Sequence, residues 1–114
     1  MLHNGSYSVW FRTPLREGTG VVVFDNGKIT GGDTVLGYSG TYFQNGDAFT
    51  ASVATRRHTP GQPSVFDIDD VDLSVTGTST LTTASCTGTA KQAPNLAFEA
   101  VLVRMIPDEP ARSA

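Results

Sequence analysis

The dipeptide Asn26-Gly27, set between Val21-Val22-Val23-Phe24 and Ile29-Thr30, is the tightest constraint in this chain. Asn-Gly flanked by β-formers is the strongest short-range hairpin signal, because a type I′ turn needs positive φ at both central residues. Strands joined by so few residues must be antiparallel neighbours, since a parallel pair needs a crossover of about a dozen residues or more. Asn45-Gly46 repeats the signal between residues 38–44 and 47–57, so the natural architecture is a meander of hairpins.

The remaining segments follow the same pattern. Tyr7, Val9 and Phe11 alternate with Ser6, Ser8 and Arg12, the period of a strand with one buried face. Trp10 falls on the polar side, where it either caps a barrel end or meets a second subunit. Pro14 ends that strand, since proline cannot donate to a ladder. On the next strands Tyr38, Gly40 and Tyr42 share one side, and Phe49, Ala51 and Val53 alternate with Ala48, Thr50 and Ser52. The stretch 56–63, with Pro60, Gly61 and Pro63, forbids regular structure and reads as the one long connection. Ser64 to Ile68 is expected to form a helical turn, with the Ser64 hydroxyl accepting a first-turn amide. Val71, Leu73 and Val75 restart the alternation, which Gly77 is expected to end. Residues 81–90 are β-prone, Pro94-Asn95 is expected to turn the chain, and residues 96–106 form a last strand that is apolar on both faces near its end. Gly31-Gly32-Asp33 reads as a bulge or tight bend at a barrel corner.

The fold class expected is all-β: about eight antiparallel strands in an up-and-down barrel, with at most one short helix. Closure removes exposed edges, and a sandwich would need longer crossing connections than this chain offers. One domain is expected over residues 1–107, with 108–114 a frayed tail. At 114 residues, 39% hydrophobic and 17% charged, the chain has neither a disordered nor a membrane composition. A formal charge of −3 with pI near 5.1 argues against a nucleic-acid binder. No apolar run approaches the roughly 20 residues of a membrane helix, and the N-terminus lacks a basic segment followed by an apolar one. Cys86 is the single cysteine, so no internal disulfide forms and a cytoplasmic location is expected.

Candidate chemistry is sparse. Asp67, Asp69, Asp70 and Asp72 form the densest acidic stretch, but no glycine inside it would shape a calcium loop, so it reads as a solvated loop and strand edge. Arg56-Arg57-His58 reads as a solvated strand end, with an anion site as the alternative. His3 and His58 have no partner at metal-ligand spacing, so no metal is expected. Cys86 sits among small residues, the setting of an inert buried thiol. Gly31-Gly32-Asp33 lacks the Lys-Ser/Thr and helix of a phosphate loop. With no Ser-His-acid or paired-carboxylate arrangement, no enzymatic activity and no cofactor are expected.

Gly5-Ser6-Tyr7-Ser8 with Phe11, Gly18-x-Gly20, Gly27, Gly31-Gly32-Asp33, Tyr38-x-Gly40 and Pro63-Ser64-Val65 resemble the GrlR-like family, small bacterial proteins named for negative regulators of type III secretion. The likeness runs from about Gly5 to Ile106. It implies a calycin/lipocalin-like barrel, often dimeric, that acts by holding a transcriptional activator and takes up an apolar ligand. The family's regulatory members carry a run of acidic residues at the hairpin that grasps the activator; here only Asp47 is acidic at that position.

Two roles follow. A protein-binding regulator would dock an activator or a second copy, a homodimer, through Trp10, Val101, Val103 and Asp47. A carrier would hold a small apolar ligand in the barrel among Tyr7, Phe11, Tyr42, Phe49 and Phe98. Space would come from the small inward residues Gly40, Ala48, Ala51, Ala84 and Ala100, since eight strands either fill with side chains or hold one ligand.

Overall fold

The structure is a computed structural model that describes residues 1–61 and 63–105. Eight strands follow one another: β1 (Gly5–Arg12), β2 (Glu17–Asp25), β3 (Lys28–Gly32), β4 (Leu36–Asn45), β5 (Ala48–Arg57), β6 (Asp72–Ser79), β7 (Thr83–Ala90) and β8 (Ala93–Arg104). Each pairs antiparallel with the next, and β8 returns to β1, giving the closed up-and-down barrel that the hairpin pattern implied. The seam runs from Tyr7↔Arg104 to Arg12↔Glu99, and an exposed Arg12–Glu99 ion pair at 2.8 Å lies across it.

Turn chemistry explains the register. Asn26 and Gly27 both have positive φ, 50° and 87°, as a type I′ turn demands. The second hairpin differs from expectation by one residue. Its two-residue loop is Gly46-Asp47, with Asn45 still paired to Ala48 and positive φ at Gly46 alone. Glycine at the first central position, with an ordinary residue after it, suits a type II′ turn.

Several boundaries are corrected. Ser64 to Ile68 forms a single turn rather than a helical one, and no helix occurs among the described residues. Asp67 N–H donates to Ser64 O at 3.0 Å, while the Ser64 hydroxyl accepts from Phe66 N–H at 3.2 Å and turns to Ile68 O. Asp67 has φ of 63°, a left-handed geometry that stops helix propagation. Gly77 does not end β6 but sits within it, opposite Cys86. Pro94-Asn95 is not the turn: Lys91-Gln92 is, and Pro94 lies in β8. The register between β7 and β8 shifts between Gly88↔Phe98 and Ala90↔Ala93, so β8 bulges there, and its pairing with β1 begins only at Glu99. Proline is tolerated at such a place because no ladder hydrogen bond is required of it. Ala48 points outward and is exposed, so it adds no interior space. Residues 106–114, including the end of the expected domain and its tail, lie outside the described residues.

The inward positions form one core built from Tyr7, Val9, Val22, Phe24, Ile29, Phe49, Leu73, Val75, Phe98 and Leu102, together with Leu2, Val65, Phe66 and Val71 from outside the strands. Glycine lets the wall bend. A Cβ at Gly40 would lie 1.9 Å from Ser52 O, and one at Gly88 1.9 Å from Ser74 O, both backbone atoms that cannot step aside. Gly31, at the expected corner, is of the same kind: a Cβ there would sit 2.1 Å from Val21 O, and its register with β2 continues without a bulge. Gly40→Ala is expected to destabilise the fold by about 2 kcal/mol or more, against about 1 kcal/mol for Gly46→Ala, where only the left-handed backbone resists. Urea unfolding of the two variants measures this; equal losses would show that the wall yields at Gly40.

Candidate ligand cavity

The two ends of the barrel are closed differently. At one end the N-terminal residues fold over the opening. Leu2 is buried, its N–H donates to Gln44 Oε1 at 2.8 Å, and Gln44 Nε2 donates back to Leu2 O at 3.0 Å. Beneath them Tyr7, Phe24 and Tyr42 form a continuous run of rings, with centroids 4.9 and 5.0 Å apart. Tyr7 is 1% exposed and its hydroxyl donates to His3 O at 3.1 Å. Tilted rings at this spacing pack as a solid layer. This half of the interior is filled.

The opposite end is closed by the connection between β5 and β6. Thr55 Oγ1 donates to Asp69 O at 2.7 Å and accepts from Val71 N–H at 3.2 Å. Thr13 Oγ1 donates to Val65 O at 2.5 Å, so two buried threonines fasten the connection to the strands. Arg16 pairs with Asp67 at 3.2 Å and donates to Ser64 O at 3.4 Å. Arg57 pairs with Asp69 at 2.8 Å; that contact holds the Asp69 carboxyl below its ordinary value and the guanidinium above its own. Asp67 and Asp69 of the acidic stretch are thus tied to the barrel rim by arginines, and Arg57 is one of those ties. Among the described residues no three His, Cys, Asp or Glu side chains come together to hold a metal.

Between the filled layer and this connection lies a cavity of about 380 Å³. Its walls are apolar: Val9, Phe11, Val22, Ile29, Phe49, Ala51, Val75, Phe98, Ala100 and Leu102 all line it. Phe66, carried by the turn after Ser64, stacks on Phe98 at 5.6 Å, and Phe98 stacks on Phe11 at 6.1 Å. The lining also reaches the exposed residues Arg16, Glu17, Thr34 and Pro63, so the cavity meets the surface beside the β1–β2 and β3–β4 turns.

Of the five aromatics expected to hold a ligand, Phe11, Phe49 and Phe98 line the cavity, whereas Tyr7 and Tyr42 belong to the filled layer and do not. Ala51 and Ala100 supply the space expected of them. Sequence reading did not single out Tyr38, Phe24 and Phe66 as lining residues. Tyr38 stands in the same alternation as Tyr42, which is the signal that marks it; Phe66 lies in irregular chain, where alternation is silent.

One polar device stands in the wall. Asp33 Oδ1 accepts from Val35 N–H and Leu36 N–H at 2.9 and 2.8 Å, and Oδ2 accepts from the Tyr38 hydroxyl at 2.5 Å. Both residues line the cavity. Gly20 makes room for this arrangement, since a Cβ there would lie 2.9 Å from Tyr38 Oη. Burial, reinforced by the Asp33 hydrogen bond and charge, keeps the Tyr38 hydroxyl protonated well above the ordinary tyrosine range.

The outer surface carries a second feature. Val101 pairs with Trp10, and Ser8 pairs with both Val103 and Val21, so the three valines and the indole form one outward strip across β8, β1 and β2. The valines are 40 to 48% exposed. Trp10 neither caps an end nor stands free within the chain: Arg12 lies 5.4 Å over its ring, and its Nε1 donates to Glu17 Oε1 at 3.1 Å. Asp47 lies away from this strip, at the filled end, paired with the Met1 amine at 2.6 Å.

No family model matches the chain, and no curated protein matches it. The likeness to the GrlR-like family rests on the residues quoted for it.

Cys86, buried and lining the cavity, has its thiol pushed up to about 11 by burial. At pH 8 its thiolate fraction is then about one in a thousand, and 5,5′-dithiobis(2-nitrobenzoate) is expected to label it only on unfolding. The linkage has a definite sign. Below about pH 9 both folded and unfolded chains hold the proton; above it the unfolded chain ionises first, so stability falls toward pH 11. The loss is about 2 to 3 kcal/mol, read by urea unfolding between pH 8 and 11, with a shallower slope in Cys86→Ala.

Proposed function

We propose that this protein binds a small apolar molecule inside its barrel. The cavity of about 380 Å³, walled by aliphatic and ring carbons and open at one rim, carries the reading. Ligand sites are concave, mostly apolar and marked by a few placed polar groups, within a range of roughly 300 to 1,000 Å³. The cavity falls at the lower end of that range, which favours a single-chain or one- or two-ring molecule over a two-chain lipid. The protonated Cys86 thiol, and the hydroxyls of Thr55 and Ser64 engaged in holding the rim, support non-covalent binding.

The neutral fluorophore N-phenyl-1-naphthylamine is expected to bind at one site per chain. Val53→Phe and Ala51→Phe, which place rings into the cavity, are expected to weaken it by about tenfold or more, with the far-ultraviolet circular dichroism unchanged. Full-strength binding in both variants would place the fluorophore outside the barrel and defeat the reading. Native mass spectrometry of freshly purified protein is a parallel test, with a retained small mass expected.

The outer strip supports a second reading, docking of a second copy or of a regulatory partner as the family resemblance implies. Its support is the contiguity of Trp10, Val21, Val101 and Val103 on one outward face. Association through that face is expected to appear as a dimer in sedimentation velocity that Val101→Lys with Val103→Lys abolishes. A native chain that stays monomeric at high concentration speaks against it.

A further inference from the structure

The polar groups at the cavity rim are unequal, and the inequality selects a ligand end group. Among the described residues that line the cavity, Arg16 is the cation, and it is committed to the Asp67 carboxylate and Ser64 O. Two carboxylates line the same rim, Glu17 and Asp33. Glu17 takes the Trp10 indole N–H on the outer face. Asp33 is turned to the wall, its two oxygens accepting from two backbone amides and from Tyr38. Arg57 feels the Asp33 charge, pairs with Asp69 and donates to Thr59 O as well. His58 reaches Asp33 only at the backbone, with Nε2 3.2 Å from its carbonyl oxygen, while Nδ1 sits 2.7 Å from Thr59 Oγ1.

The direction of the Tyr38 hydrogen bond then decides what this pair offers the cavity. A phenol has one hydrogen and retains lone pairs after giving that hydrogen away. Since the hydrogen goes to Asp33, Tyr38 Oη can only accept from anything else that approaches it. Asp33 itself acts as an acceptor at both side-chain oxygens. We propose, building on the reading of the barrel as an apolar-ligand site, that the ligand carries a hydrogen-bond donor, an amine or an alcohol, at its polar end, and that Tyr38 and Asp33 receive it. A carboxylate end would meet acceptor against acceptor and charge against like charge, a pairing that leaves buried groups unmatched.

The same geometry provides a way to invert the preference. In Asp33→Asn the side-chain oxygen still accepts from Val35 and Leu36 N–H, so the turn between β3 and β4 is kept. The new Nδ2 donates to Tyr38 Oη, and the phenolic hydrogen must then swing toward the cavity. The rim changes from acceptor to donor with no change in size.

The test is displacement of N-phenyl-1-naphthylamine at pH 7.5 by octylamine, 1-octanol and octanoate, which share one chain length and differ in the end group. Octylamine and 1-octanol are expected to compete at concentrations about tenfold below octanoate, and the order between those two distinguishes a charged donor from a neutral one. In Asp33→Asn the octanoate-to-octylamine ratio is expected to shift by about tenfold toward octanoate. Tyr38→Phe, which keeps the ring beside Gly20, is expected to weaken 1-octanol several-fold while sparing the fluorophore, and it serves if Asp33→Asn unfolds. Octanoate competing as well as octylamine in the native protein, or an unmoved ratio in Asp33→Asn together with unmoved 1-octanol competition in Tyr38→Phe, overturns the inference while leaving the cavity reading intact. Failure of the fluorophore itself to bind removes both.

Discussion

The pairing of β8 with β1 is the contact on which the rest of this structure depends. The seven sequential strand pairings alone would make a twisted open sheet with two exposed edges, each a row of unpaired amides and carbonyls. Six paired positions from Tyr7↔Arg104 to Arg12↔Glu99 remove both edges and turn one face of the sheet into an interior. Every inward side chain then meets residues distant in sequence, as Phe11 meets Phe98 and Tyr38. Closing so short a sheet requires strong coiling, and glycines such as Gly40 and Gly88 permit neighbouring backbones to approach more closely than any Cβ allows.

Closure creates an interior, but side-chain size decides how much of it is filled. Toward the N-terminal residues the inward positions are Tyr7, Phe24 and Tyr42, whose rings meet across the lumen. Beyond that layer Ala51, Cys86 and Ala100 line the wall along with Phe11, Phe49 and Phe98, and the smaller side chains leave a hollow. The barrel is thus half core and half vessel. The filled half shields one end from water; the hollow half reaches the rim, where the connection carrying Val65 and Phe66 is fastened by hydroxyls and exposed ion pairs. Exposed pairs of this sort contribute little each, about 0 to 1 kcal/mol, so the burial of Val65, Phe66 and Val71 holds the connection down.

Polar groups near an apolar cavity are informative because each must be matched by something. Here the matching is internal: Asp33 organises its own turn and orients Tyr38, and the outcome is an acceptor facing apolar space. The device combines a turn residue with a strand residue five positions later, brought together because β4 leaves the turn with Tyr38 pointing inward.

Local chemistry determined much of this protein. Asn26-Gly27 sets the first hairpin, the alternation of Tyr7, Val9 and Phe11 sets an inner face, and the short connections leave an up-and-down barrel as the natural closure. Cys86 among small residues is legible as a buried thiol for the same local reason. Tertiary structure alone decided where strands begin and end at Pro94, Gly77 and Gly46, because register depends on both partners and a glycine reads alike in a turn and in a bend. It also decided which inward aromatics pack and which line space. Tyr7, Phe11 and Tyr42 obey one period, and only their height along the closed barrel, set by strand stagger, places Phe11 beside the hollow and the two tyrosines in the solid layer. The role of Tyr38 has the same origin, since one hydroxyl becomes an acceptor only where folding sets it against a carboxylate.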